Sequence, residues 1–163
     1  MSWALHRIDD RLIHGQVLVA WGARYHPARI WIADDGVAAN EWERALYRDA
    51  APGIEVRVVS VAEAAAAYPV ESAAAGAAFL LVRDLAAARR LVESGAAIPA
   101  FNVGGLHYTA GRVQLGKAIF LSREDSEALR EISRRGVTLE GRPLPSDESQ
   151  DLLEMLGTAK VAP

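Results

Sequence analysis

Short apolar runs alternate with helix-like segments along most of this chain, and this alternation constrains the fold more than any other feature. Apolar or β-branched runs predict strands at residues 3–8, 28–33, 54–59, 77–82, 98–103, 118–121 and 137–140. Parallel strands need a crossover between them, and the intervening helical segments supply it. We therefore predict an α/β fold, with an open, mostly parallel sheet of about six to seven strands and helices packed against it.

Capping and breaking residues set the predicted ends of the helices. The helix after the third strand is predicted to end before Pro69, because proline disrupts a helix interior. Ser122, with acidic residues in the following turn, predicts a helix that runs to about Arg135. A final helix is predicted to begin at Ser146 and to end near Leu156.

Length, charge and cysteine content exclude several classes of protein. The 163 residues are 51% hydrophobic and 24% charged, so residues 1–163 are predicted to form a single domain with a core of about 3–157. A net charge of −3, with no run of Lys or Arg, argues against nucleic acid as a partner. Cysteine is absent, which excludes disulfides and thiolate metal sites. Neither a signal peptide nor a run of ~18 apolar residues is present, so we expect a cytoplasmic location.

The motifs of several well-known ligand-binding folds are missing. No G-x-G-x-x-G follows the first strand and no G-x-x-x-x-G-K-[ST] occurs, so a nucleotide cofactor is not indicated. The G-x-S-x-G and H-E-x-x-H patterns are also absent. We predict neither a cofactor nor a metal site.

The loop after the first predicted strand carries the chemistry. Its sequence, RIDDRLIHGQV at residues 7–17, places His14 just before a helix. A neutral imidazole has a lone pair that can attack phosphorus without a separate base. The backbone N–H groups of Gly15, Gln16 and Val17 would then receive the phosphoryl oxygens at the helix start. The loop therefore predicts a phosphoryl acceptor, with an ordinary surface histidine as the alternative.

Charged neighbours of His14 suggest how such a group would be held. Arg11 is the first candidate for a charge partner, because a guanidinium binds phosphate oxygens in a bidentate manner, and Arg7 is the second. Asp9 or Asp10 could fix the tautomer of His14, or could pair with the arginines and order the loop. The pairing role is favoured.

Polar residues follow most of the predicted strands, at the sheet edge where open α/β sheets bind their ligands. The residues at these strand ends are Asp9, Asp10, Asp34, Asp35, Ser60, Arg83, Asp84, Asn102, Ser122 and Arg123. Apart from the first loop, each can equally be a place where a strand simply ends in polar residues.

Two motifs resemble the IIB subunit of the mannose/fructose/sorbose family of the bacterial phosphotransferase system. They are RIDDRLIHGQV and FNVGGLH, and the similarity spans about residues 3–157, including GVTLEGRPLPSD. The resemblance implies a cytoplasmic phosphotransferase with an open, mainly parallel sheet. It implies transfer from the histidine of a IIA domain to a sugar bound by the membrane IIC–IID complex, with peripheral association at the membrane.

The same resemblance implies roles for single residues. It places the phosphoryl group on Nδ1 of His14, with Arg11 as the motif arginine. The second motif of the family usually reads N-V-G-N-M-H, so Gly105 and Leu106 depart from it here. The candidate supporting residues in this motif are Asn102, Gly104, Gly105 and His107. His107 either contacts a partner or is structural, and the structural role is favoured.

The sequence is compatible with three further alternatives. A regulatory phosphoprotein would use the same phosphohistidine without sugar transport. A non-catalytic module that binds a phosphorylated ligand would need Arg11 and the helix start but not His14. A homodimer is compatible with the sequence.

Overall fold

A computed structural model describes residues 2–158 and places nine strands among them. These are β1 (Trp3–Asp9), β2 (Arg29–Ala33), β3 (Glu55–Val59), β4 (Ala78–Val82), β5 (Ala100–Gly105), β6 (Val113–Gly116), β7 (Ile119–Leu121), β8 (Thr138–Gly141) and β9 (Gln150–Asp151). Seven of them form one sheet in the order β3-β2-β4-β1-β5-β8-β9, while β6 and β7 form a separate antiparallel pair. Neighbouring strands of the large sheet are parallel except β8 and β9. The predicted α/β class and strand number are confirmed.

Helices cover both faces of this sheet. After β1 the chain forms a π-helical segment (Gln16–Trp21) that continues into α1 (Gly22–Tyr25). The other helices are α2 (Asp35–Ala38), α3 (Glu41–Asp49), α4 (Val61–Ser72), α5 (Leu85–Glu93), α6 (Arg123–Arg134) and α7 (Leu152–Thr158). Ser122 caps α6 in a capping box with Asp125, as the sequence predicts for the serine.

Alternation along β1 explains why its two faces differ. Ile8 packs into the larger core, which holds the buried residues of α4, α5 and α6. Leu5 packs on the other face with Trp21 and Phe79. Because successive side chains of a strand point to opposite faces, Arg7 and Asp9 share the face of Leu5. They therefore lie on the side covered by the π-helical segment.

Pro69 does not end its helix, contrary to the prediction. Helix α4 continues to Ser72. Contacts outside the helix hold this last turn, since the buried carboxylate of Glu71 pairs with Arg29 at 2.6 Å and its backbone oxygen accepts a hydrogen bond from Ser2. Tertiary contacts thus outweigh the hydrogen bond that proline cannot donate.

The prediction for the end of the chain is also corrected. Ser146 begins no helix, and α7 starts only at Leu152, with the Asp151 carboxylate accepting from Glu154 N–H. The intervening segment is held by Arg142, which donates to the backbone oxygens of Pro145 and Asp147. Moreover, the strand predicted at residues 118–121 does not join the large sheet, because β7 pairs with β6, a strand whose short VQLG sequence gave no clear signal.

Candidate functional site

Two buried apolar side chains fix the loop that follows β1. Leu12 is fully buried and Ile13 is nearly so. Their burial anchors the loop to the core. Leu12 has a φ of 56°, a left-handed conformation that is uncommon for a residue other than glycine. Its N–H donates to the backbone oxygen of Asp9 at 3.0 Å. The loop therefore turns tightly at Leu12 and presents His14 two residues later.

Asp9 is the centre of the charged network. Its Oδ1 accepts from the backbone N and Nε of Arg11, both at 3.1 Å. Its Oδ2 accepts from Arg7 Nη2 at 3.0 Å and Arg11 Nη2 at 3.1 Å. Gln16 completes the set, because its Oε1 accepts from Nη2 of both arginines. We call Arg7, Asp9, Arg11 and Gln16 the arginine network. Within it, Asp9 pairs with both arginines, which is the role that the sequence favours.

Arg7, which the sequence predicts as a phosphate ligand, is buried behind the loop. Its side chain is 0% exposed, and Nη1 donates to Asn102 Oδ1 at 2.6 Å. Its guanidinium carbon lies 5.8 Å from the centre of the Trp21 ring. Burial lowers the pKa of Arg7, and the neighbouring Asp9 carboxylate opposes this effect. Arg7 therefore supports Asp9 from inside the protein.

Gly104 makes room for the buried guanidinium. A Cβ at this position would overlap the Arg7 guanidinium and would lie 2.6 Å from Asp9 Oδ2. At Gly105, a Cβ would lie 3.2 Å from Arg11 Nη2. The two glycines of β5 lie where β1 places its charged side chains. Both glycines therefore support the site by leaving room for these side chains, and not by contacting a ligand.

Asn102 links the arginine network to the next strand. Its side-chain nitrogen donates to the backbone oxygen of Arg142 at 2.9 Å and lies 3.4 Å from Glu140 Oε1. The Arg7 donor and the Arg142 acceptor fix the orientation of this amide. Asn102 therefore connects Arg7 to the backbone that follows β8.

His14 lies beside Asp9, with its side chain 15% exposed. Nε2 is 3.6 Å from Asp9 Oδ2 and has no hydrogen-bond partner. Nδ1 lies 2.9 Å from the backbone oxygen of Leu12. A carbonyl can only accept, so in this conformation Nδ1 carries the proton and Nε2 the lone pair.

The helix start offers fewer free N–H groups than the sequence predicts. Val17 N–H and Leu18 N–H both donate to the backbone oxygen of His14 at 3.1 Å, which removes Val17 from the set of free donors. Within residues 2–158, no partner is found for the N–H groups of Gly15 and Gln16. Those two remain as backbone donors for an anion.

Asp10 and His107 join a second loop to the first. The Asp10 carboxylate accepts from His107 N at 2.8 Å, and its other oxygen lies 2.6 Å from His107 Nδ1. The His107 side chain nevertheless stays 63% exposed. His107 therefore ties the loops together through Asp10, and its side chain remains accessible.

The other strand-end residues do not reach the arginine network. Asp34 pairs with Arg83 at 3.1 Å, and Asp35 with Arg90 at 2.8 Å. Three more cap helices: Ser60, Asp84 and Ser122. Their polarity thus serves local structure, which is one of the two roles that the sequence allows.

Two groups that belong to the site could not be predicted from the sequence. The backbone oxygen of Leu12, a residue with a left-handed φ, contacts His14. Trp21 covers Arg7 and donates from its indole nitrogen to the backbone oxygen of Pro143. The sequence does not show which tryptophans are buried, and only the fold places Trp21 over Arg7.

The charges of the site favour an anion. Two guanidinium groups face one carboxylate, so the arginine network carries one net positive charge next to His14. Arg11 is 36% exposed, and its Nη1 is neither bonded nor buried within the described part of the chain. Among the same residues, no group of three or more His, Asp or Glu side chains could hold a metal ion. Arg11 therefore offers an accessible cation to an anion near His14.

Comparisons with known proteins agree with this geometry. The family model described as the sorbose subfamily IIB component of the phosphotransferase system (PTS) matches residues 3–162. The sorbose-specific EIIB component of Klebsiella pneumoniae is 38% identical over 96% of both chains. The mannose-specific EIIAB component of Escherichia coli K12 is 35% identical over 96% of this chain, which spans 49% of that protein.

A solved structure gives the same result. The IIBSor domain of the sorbose permease from Klebsiella pneumoniae superposes with a TM-score of 0.89 at 37% identity, covering 99% of this chain and all of that one. The strand order, the loop after β1 and the sequence thus lead to one assignment. The chain belongs to the sorbose subfamily of PTS IIB components, a family of phosphotransferases.

Proposed function

We propose that this protein carries a phosphoryl group on His14 during sugar uptake. The observation that carries the proposal is the position of His14 beside the arginine network, whose net positive charge and exposed Arg11 suit an incoming phosphoryl group. The membership of the chain in a family of PTS IIB components supports the same function.

The chemistry is an in-line exchange of one nitrogen–phosphorus bond for another. A lone pair of the His14 imidazole attacks phosphorus while the bond to the donor histidine breaks and its electrons return to that ring. Arg11 neutralises charge on the phosphoryl oxygens, and the free N–H groups of Gly15 and Gln16 receive them. No step in this exchange needs a second nucleophile.

Attack by Nδ1, which the family resemblance implies, requires a change at His14. Nδ1 now faces the Leu12 carbonyl at 2.9 Å, so the ring must leave this contact before Nδ1 can act. Moving the ring proton to Nε2 would favour that change, because Nε2–H could then donate to Asp9 Oδ2. Leu12 and Asp9 therefore compete for the ring proton.

We infer two successive partners on one face. A IIA domain is the proposed donor, and the mannose-specific EIIAB relative is named for both the A and the B components in one chain. The proposed acceptor is a sugar bound to membrane subunits IIC and IID. Within residues 2–158, no helix has the length and apolarity to cross a membrane. We propose a cytoplasmic location with peripheral association at those subunits.

Mass spectrometry after incubation with a phosphorylated IIA domain tests the acceptor. Wild type should gain one acid-labile phosphoryl group, and His14→Ala should gain none. The proposal is wrong if wild type stays unmodified or if both proteins gain the group equally.

Membrane vesicles that contain IIC and IID separate transport from regulation. The phosphorylated protein should lose its phosphoryl group to a transported sugar when such vesicles are added. A purely regulatory phosphoprotein would keep its label under the same conditions.

A further inference from the structure

We propose that the side-chain amide of Gln16 is a direct ligand of the phosphoryl group, with its NH2 group facing the anion. This inference rests on the proposed function of His14 and adds a second side-chain contact to that of Arg11. It concerns the amide of Gln16 and not its backbone N–H.

The two arginines determine which way the Gln16 amide faces. Arg7 Nη2 and Arg11 Nη2 lie 3.2 and 3.1 Å from its Oε1. Guanidinium nitrogens can only donate, so the atom that faces them must be the amide oxygen. The amide NH2 group is consequently turned away from both arginines.

That NH2 group is available to a ligand. Within residues 2–158 it has no hydrogen-bond partner, and it is not among the buried polar atoms that lack one. Arg11 Nη1 is in the same state. Two accessible donor groups thus flank the network that contacts His14.

Shared contacts connect these donors to the carboxylate beside the reacting ring. Gln16 follows His14 by two residues, and the Nη2 atoms that hold its oxygen also hold Asp9 Oδ2, which is 3.6 Å from His14 Nε2. Fixing the oxygen in advance means that the NH2 group needs little reordering when the anion arrives. The two arginines therefore orient the amide, and its NH2 group is a neutral hydrogen-bond donor.

Two substitutions at Gln16 separate this role from a structural one. Gln16→Glu keeps an oxygen for Arg7 and Arg11 but replaces the NH2 donor with a second carboxylate oxygen. Gln16→Ala removes both groups. If the amide only orders the arginines, Gln16→Glu should be the more active variant. If it binds the phosphoryl group, Gln16→Glu should be the less active one.

Transfer from a phosphorylated IIA domain is the first measurement. We expect Gln16→Glu to slow the appearance of phosphohistidine about 10- to 100-fold, and more than Gln16→Ala does, because a donor to a charged group is lost and a like charge is gained. Its midpoint of thermal unfolding should equal or exceed that of wild type, since the new carboxylate pairs with two arginines. Gln150→Glu, which makes the same change on exposed β9, should transfer at the wild-type rate.

Binding of inorganic phosphate is the second measurement and needs no IIA domain. Phosphate should raise the unfolding midpoint of wild type and of Gln150→Glu, but should raise that of Gln16→Glu much less. Equal or faster transfer by Gln16→Glu relative to Gln16→Ala, or an equal phosphate shift in Gln16→Glu and wild type, would overturn the inference. Failure of wild type to become phosphorylated would instead overturn the proposed function, and the phosphate shift would still test the amide.

Discussion

His6 and His14 lie eight positions apart, and their surroundings could hardly differ more. His6 is buried on β1, where its Nε2 is 2.8 Å from the Tyr68 hydroxyl and the rings of Trp3 and Phe101 lie close by. Burial lowers the pKa of His6 to about 4, which keeps it neutral. His14 instead lies beside a carboxylate and an exposed arginine. The neighbouring groups, and not the residue type, therefore distinguish a structural histidine from a candidate nucleophile.

Among substitutions near His14, the largest loss of stability should come from a change at Arg7. Arg7→Ala removes a buried partner of Asp9 and Asn102, so it should lower the free energy of unfolding by about 3–5 kcal/mol. Arg11→Ala removes a part-exposed partner and should cost about 1 kcal/mol or less, while slowing phosphoryl transfer about 100-fold. Urea unfolding and transfer kinetics measure the two effects.

The outcome would distinguish two roles of Arg7. If Arg7→Ala were as stable as wild type and only slow in transfer, Arg7 would contact the phosphoryl group directly, as its sequence position suggests.

Acid should destabilise the protein through His6. The folded-state pKa of about 4 lies below the ordinary value of 6.5, so between these pH values the unfolded chain binds a proton that the folded protein does not. The stability contribution is complete above pH 6.5 and is lost as the pH falls toward 4, by about 3 kcal/mol in total. Unfolding free energies at pH 7.5 and 4.5 measure this loss.

His6→Phe provides the reference for that experiment, because it removes the titrating group and keeps an aromatic ring. Carboxylates titrate in both proteins, so only the difference between the two reports on His6. An equal loss in wild type and variant would show that His6 makes no contribution.

A methyl group at Gly104 should disturb the arginine network. Gly104→Ala places a carbon where the Arg7 guanidinium lies, and we expect a loss of about 1–3 kcal/mol together with slower transfer. Gly157→Ala in α7 meets open space and should stabilise the helix by up to about 1 kcal/mol. Thermal unfolding of the pair tests whether lack of space, and not the loss of glycine itself, is the cause.

A smaller effect on stability should come from the partner of His6. Tyr68→Phe removes the buried hydrogen bond with His6 and a longer one, of 3.5 Å, to the backbone oxygen of Ala97, and should cost about 1 kcal/mol, with transfer to His14 unchanged. Tyr108→Phe, on an exposed side chain, should change stability by less than about 0.5 kcal/mol. A loss of transfer in Tyr68→Phe would mean that the two histidine environments are coupled through β1.

Much of the fold could be read from local pattern. Apolar runs located six of the seven strands of the large sheet, and Ser122 marked the start of α6. The failures occurred where distant contacts decide: Glu71 and its partner Arg29 keep α4 helical past Pro69, and pairing with β6 takes β7 out of the large sheet. Local preference cannot register such contacts, because the interacting residues are far apart in the chain.

The sequence by itself determined the α/β class, the loop that holds His14 and Arg11, and the family, since these depend on periodicity and on a contiguous motif. Only the tertiary structure decided which charged residue faces solvent. Alternation along β1 and the cover supplied by Trp21 bury Arg7, while Arg11, four positions later in a loop, stays accessible. The same packing turned the Gln16 amide, because its orientation depends on two guanidinium groups that only the folded chain brings together.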